Sequence, residues 1–117
     1  PTFLHEPPSK VIFYNNSGAI ISCSASGNPQ PTVLWTYSDH EPNLIRALKD
    51  VSGLRYTRAD GSLVFAPFAA NRFNQEFHSR TYRCIASNIH GSIVSRNVKI
   101  RGGTYELSHN SSLSFQH

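Results

Sequence analysis

"CSASGNPQPTVLW" runs from Cys23 to Trp35 and joins one of the chain's two cysteines to its only tryptophan through a Gly-Asn-Pro-Gln-Pro run. The second cysteine lies far away, in "TYRCIAS" at 81–87. Gly27, Pro29 and Pro31 suit a turn, and the segments on either side alternate with the period of a β-strand. In "AIISCSA" (19–25), Ala19, Ile21, Cys23 and Ala25 share one face, and Ile20, Ser22 and Ser24 the other. In "TVLWTYS" (32–38), Val33, Trp35 and Tyr37 point inward and Leu34, Thr36 and Ser38 outward. "SLVFAPF" is expected to bury Leu63 and Phe65, and "TYRCIAS" to bury Tyr82, Cys84 and Ala86. Two cysteines facing inward from different sheets pair as a disulfide across a sandwich, with Trp35 packed on the sulfurs and Tyr82 placed for a tyrosine corner.

The rest of the chain agrees with an all-β reading. No stretch has the pattern of a long helix, and strand-like runs recur about every 8 to 12 positions with turn residues between them, as in a sandwich or barrel. "TFLH" (2–5) and "KVIF" (10–13) flank Pro7 and Pro8, which cannot donate to a ladder, so the first strand is expected to split there. Asp60-Gly61 and the segment from Asn88 to Gly91 supply tight turns.

At 117 residues the chain suits one domain. Hydrophobic residues make up 38% of it, and no apolar run reaches the roughly 18 residues of a membrane span. It lacks an initiating Met and a basic-then-apolar leader, so it is expected to be a piece of a longer precursor. Without a CxxC pair, two cysteines make no metal site. One disulfide closing a loop of about 60 residues is worth about 4 kcal/mol in the chain-entropy model and implies an oxidising compartment. Asn15 in "NNS" and Asn110 in "NSS" fit the glycosylation sequon.

Cys23, Trp35 twelve positions on, and then Tyr82-x-Cys84 form a constellation that resembles the immunoglobulin fold. The expected architecture is therefore an immunoglobulin-like β-sandwich of the intermediate set (I-set) with Greek-key connections. "ASGNPQPTVLW" and "YRCIASNIHGS" resemble the intermediate-set domains of adhesion receptors and muscle proteins. "FLHEPPSKVIF", "SGLRYTRADGSLVFAPF" and "FHSRTYRCIASNIHGSIVSRNVKI" are similar to the N-terminal immunoglobulin domain of the Dscam (Down syndrome cell adhesion molecule) family, especially its arthropod members. The resemblance covers residues 3 to about 101. Residues 102–117 do not match and are expected to be a linker, the start of a next domain or a tail. Most immunoglobulin domains carry Asp-x-Gly-x-Tyr-x-Cys, but His78 and Arg80 stand at the first two of those positions. The loop before them is long, and Phe73 and Phe77 are expected to tuck under the sandwich.

Catalytic chemistry has no foothold in this sequence. The six histidines show no metal-ligand spacing, and no nucleophile signature or phosphate loop occurs. The chain is expected to be a non-enzyme without cofactors. What remains is the outward face of the sheet built from the C, F and G strands. Leu34, Ile85 and Ile93 form its apolar centre, with Thr36, Arg83 and Ser95 at the rim. This is either scattered surface apolarity or a contact patch. Ile20 and Val64 make a second outward pair on the opposite sheet. Arg96 falls on the inward parity counted back from Ile100 and Val98, unless a bulge near Ser95 turns it outward.

The resemblance implies an extracellular part of a cell-surface receptor whose partner is the same receptor on another cell, in neurite self-avoidance or immune recognition, or adjacent domains of its own chain. Competing readings are an inert structural spacer, an intracellular muscle-type domain with free thiols, and a module that binds pathogen patterns or heparan-type polyanions. The last would use the basic region of Arg46, Lys49, Arg55 and Arg58. The net charge of +4 agrees with an anionic partner, but no basic-aromatic motif or recognition helix points to nucleic acid.

Overall fold

The computed structural model describes residues 1–38, 45–72, 79–105 and 113–114. Phe73, Phe77, His40, His78, His109, His117 and Asn110 lie outside them.

The first strand splits as the proline pair requires. β1 (Thr2–His5) pairs antiparallel with β4 (Ser24–Ser26), whereas β2 (Lys10–Tyr14) crosses to the other layer and pairs parallel with β11 (Val98–Tyr105). Neither Pro7 nor Pro8 has an N–H to give to a ladder, so the change of layer falls there. One layer orders β3 (Ala19–Ile21), β8 (Leu63–Phe65) and β7 (Arg55–Thr57). The other orders β2, β11, β9 (Ser79–Asn88), β5 (Thr32–Ser38) and β6 (Ile45–Ala47), with β10 (Gly91–Val94) also on β9 and β12 (Leu113–Ser114) on the far end of β11. This is the immunoglobulin sandwich, and the alternation of its strands sets the core. Phe13, Ile21, Cys23, Trp35, Leu63, Phe65, Phe68, Tyr82, Cys84, Val98 and Ile100 form one buried cluster.

Cys23 and Cys84 are joined, with Cα atoms 6.6 Å apart. Trp35 is the direct ladder partner of Cys84, and its indole N–H donates to Gly61 O across the sandwich at 2.8 Å. Phe65 packs edge-on against Tyr82, with centroids 5.7 Å apart. Burial pushes the Tyr82 phenol above its ordinary pKa, partly opposed by the charge of Arg55. Arg80, at the position where most immunoglobulin domains place glycine, lies over the Tyr37 ring at 4.1 Å, a cation–π arrangement.

β6 and β7 have no counterpart among the strands expected from the sequence. Arg55 explains the miss at β7. It is 3% exposed, donating through Nη1 to Tyr82 Oη at 3.3 Å and through Nη2 to Lys49 O at 3.1 Å. A guanidinium at an inward position inverts the apolar alternation from which strands are read. Its burial also corrects the proposed basic region, since Arg55 cannot meet an external polyanion. The expected domain boundary at residue 101 falls inside β11, which stays paired with β2 as far as Gly103 opposite Tyr14.

Asn15 corrects another expectation. It is 8% exposed, and its Nδ2 donates to Phe68 O at 3.1 Å. The amide nitrogen that would carry a glycan instead ties β2 to the segment after β8.

The last long strand contains a one-residue bulge. Val94 opposes Ile85 and Val98 opposes Tyr82, so four steps on this strand match three on β9. The extra residue turns Arg96 outward. There Glu6 accepts from the Arg96 backbone N–H at 2.8 Å and from Nη2 at 3.2 Å. The hydrogen bonds and charge of Arg96 hold the Glu6 carboxyl below its ordinary range, and Glu6 in turn raises Arg96.

Two outcomes follow from these contacts. A Cβ at Gly18 (φ 64°) would lie 2.2 Å from Phe65 O, whereas one at Gly53 (φ 77°) meets nothing within 4 Å. In thermal unfolding, Gly53→Ala should lose about 1 to 2 kcal/mol, the cost of a left-handed backbone for a side chain, and Gly18→Ala clearly more. Because the Glu6 pKa is lowered on folding, its contribution is present above the unfolded pKa and is lost as pH falls through the folded one. The melting-temperature difference between the native chain and Glu6→Gln should therefore be present near neutrality and vanish below the ordinary carboxylate range.

Candidate functional site

The outward face of β5, β9 and β10 is laid out in rows, because residues directly opposite on an antiparallel ladder point to the same side. Thr32, Ser87 and Ser92 form the first row, and the two serine hydroxyls lie 2.7 Å apart. Leu34, Ile85 and Val94 form the second. Leu34 is 61% and Val94 50% exposed, with Ile85 partly covered between them. Thr36 and Arg83 form the third, where Arg83 Nε donates to Asn97 Oδ1.

Leu34, Ile85 and Arg83 thus occupy the expected face. Three other assignments are corrected. Ile93 opposes Ala86, a fully buried residue, so it shares the inward parity and Val94 takes its place. Ser95 is 5% exposed and its Oγ accepts from Cys84 N–H at 2.9 Å, so it serves the ladder rather than the rim. Thr36 has the outward parity but is nearly covered, its hydroxyl directed at Arg83 O. The first two errors share one cause. Counting parity back from Val98 through the bulge inverts every residue before it.

On the opposite sheet Ile20 is 57% exposed. Val64 stands between Ile20 and Tyr56 in register and is buried, so the expected outward pair is reduced to Ile20 with Tyr56.

A second feature of the large sheet left no mark in the local sequence. Lys10 opposes Lys99 across the parallel β2–β11 ladder, and Arg101 opposes Ile12 one outward position further on. Thr81 opposes Lys99 from β9, so these cations share the face that carries Arg83. Among the described residues, no three His, Cys, Asp or Glu side chains come together as a metal site, and no helix is long and apolar enough to cross a membrane.

Comparison with known proteins agrees with this geometry. The family model described as "Immunoglobulin domain" matches residues 1–88. The cell adhesion molecule Dscam1 of Drosophila melanogaster is 48% identical over 101 residues, which is 86% of this chain and 5% of that protein. Human DSCAM is 31% identical over 99 residues, 85% of this chain and again 5% of the relative. Among solved structures, the N-terminal four immunoglobulin domains of Dscam1 isoform 4.44 superpose with a TM-score of 0.83 at 44% identity, covering 91% of this chain and 26% of that one. The N-terminal eight domains of isoform 1.30.30 give 0.81 at 45% identity, covering 90% and 15%.

The bulge contact has its own test. Ser95→Ala leaves the buried Cys84 N–H without its acceptor, which should cost about 1 to 3 kcal/mol in chemical unfolding while leaving the Leu34, Ile85 and Val94 row in place.

Proposed function

We propose, given that this chain belongs to the immunoglobulin-domain family as a domain of the Dscam kind, that it is an extracellular recognition module of a cell-surface adhesion receptor. It performs no catalysis; the family it belongs to acts by contact. The partner in this reading is another copy of the receptor on an opposing cell, or a neighbouring domain of its own chain. The biological setting is self-recognition of neurites or immune recognition.

The observation that carries the reading is the row of Leu34, Ile85 and Val94. Three apolar side chains stand abreast on adjacent strands, two of them half exposed or more, between a row of hydroxyls and Arg83. An apolar centre with a polar margin is the anatomy of a protein contact, and rigid strands present it at little entropic cost. The disulfide supports an extracellular setting, because reducing compartments keep thiols free.

The experiment is self-association of the receptor ectodomain, followed by sedimentation or bead aggregation. Ile85→Asp places an unpaired charge at the centre of the row and should weaken association at least tenfold without lowering the melting temperature appreciably. Unchanged association would leave the face inert and favour the spacer role.

A further inference from the structure

The large sheet turns basic on the far side of the bulge from the apolar row. Lys10 and Lys99 are exposed and face each other directly across the ladder. Arg83 stands on the adjacent β9, its guanidinium oriented by Asn97. Like charges set opposite each other repel. Neither lysine meets a carboxylate among the described residues, whose acids are engaged elsewhere. Glu6 holds Arg96, Asp50 accepts from Thr57 N–H, and Asp60 accepts from Ser62 N–H.

We propose that this strip binds a linear sulfated glycan, with Lys10, Lys99 and Arg83 contacting successive sulfates. Backbone ladders about 4.8 Å apart fix the cations on three neighbouring strands. Each exposed contact with an anion is weak in water, so a lone ion gains little, whereas linked sulfates engage together and gain from their effective concentration. The strip crosses from β2 over β11 to Arg83 on β9, one row beyond Leu34 and Ile85, so a polymer lying on it needs no apolar anchor. That geometry favours a glycan over an acidic protein. It also moves the polyanion site from the 46–58 region, where Arg55 is buried, to residues that only the ladder brings together. The proposal does not depend on the apolar row.

The test compares the 117-residue chain with its Lys10→Glu/Lys99→Glu variant on a heparin column and in titration with a heparin octasaccharide. Native binding should fall steeply with added salt. The variant should bind at least tenfold more weakly, while Lys49→Glu/Arg58→Glu, the same charge change away from the strip, should lose less than twofold. Leu34→Ser, a neutral change in the apolar row, should bind heparin like the native chain, because the glycan needs no apolar anchor. Equal losses in the two charge-swapped variants would overturn the proposal, since attraction would then be diffuse. Equal affinity for desulfated heparin or polyglutamate, or tighter binding to phosphatidylserine vesicles than to heparin, would overturn it as well. Circular dichroism checks each fold, and Lys10→Gln/Lys99→Gln repeats the comparison if the glutamate pair unfolds.

Discussion

The covalent tie between Cys23 and Cys84 joins two β layers that share no ladder with each other, and the centre of the molecule is arranged around it. Trp35 stands beside Cys84 on β5 and reaches across to Gly61 with its indole N–H. Gly61 in turn can approach only because it lacks a side chain: a Cβ there would lie 2.5 Å from Cys23 O. The bridge, the indole and the turn before β8 therefore form one unit. Each constrains the spacing of the layers, and the strands that leave this centre inherit their inward and outward faces from it.

One inserted residue then decides what the outer face presents. Between Val94 and Val98 the strand gains a residue relative to β9. The surplus is accommodated by hydrogen bonding. The Ser95 hydroxyl accepts from the Cys84 amide, and Glu6 receives both the backbone and the side chain of Arg96. Glu6 belongs to the crossover between β1 and β2, so the bulge is pinned by the same segment that changes layers. Without the insertion Val94 would face the core and Ile93 the solvent. With it, the apolar row stays continuous across three strands, and the basic strip begins on the other side of the irregularity.

The core was legible because its signal is local. Ile21, Cys23, Trp35, Leu63, Phe65, Tyr82 and Cys84 all lie where period-two alternation puts them, and all are buried. The proline pair likewise marked the break between β1 and β2. The candidate surface was only half legible. Leu34 and Ile85 sit on strands without irregularity, so their parity carries through. Ile93 and Ser95 precede a bulge that the inward parity of Arg96 raised as an alternative but did not place, so their own parity was counted as if the strand were regular. Arg55 and Asn15 failed for a different reason: polar residues are read as exposed, and nothing nearby in sequence announces that a phenol and carbonyls await them.

The sequence by itself determined the class of fold, the pairing of its two cysteines and the apolar inward residues of the strands whose alternation it showed, because these follow from side-chain alternation and from what proline and glycine permit. The tertiary structure alone decided which residues share the outer surface. Lys10 and Lys99 are remote along the chain yet adjacent across a ladder, and Val94 faces outward only because of an offset against β9. Register is a relation between strands, set by bulges and long-range hydrogen bonds, and it has no local signature in either strand alone.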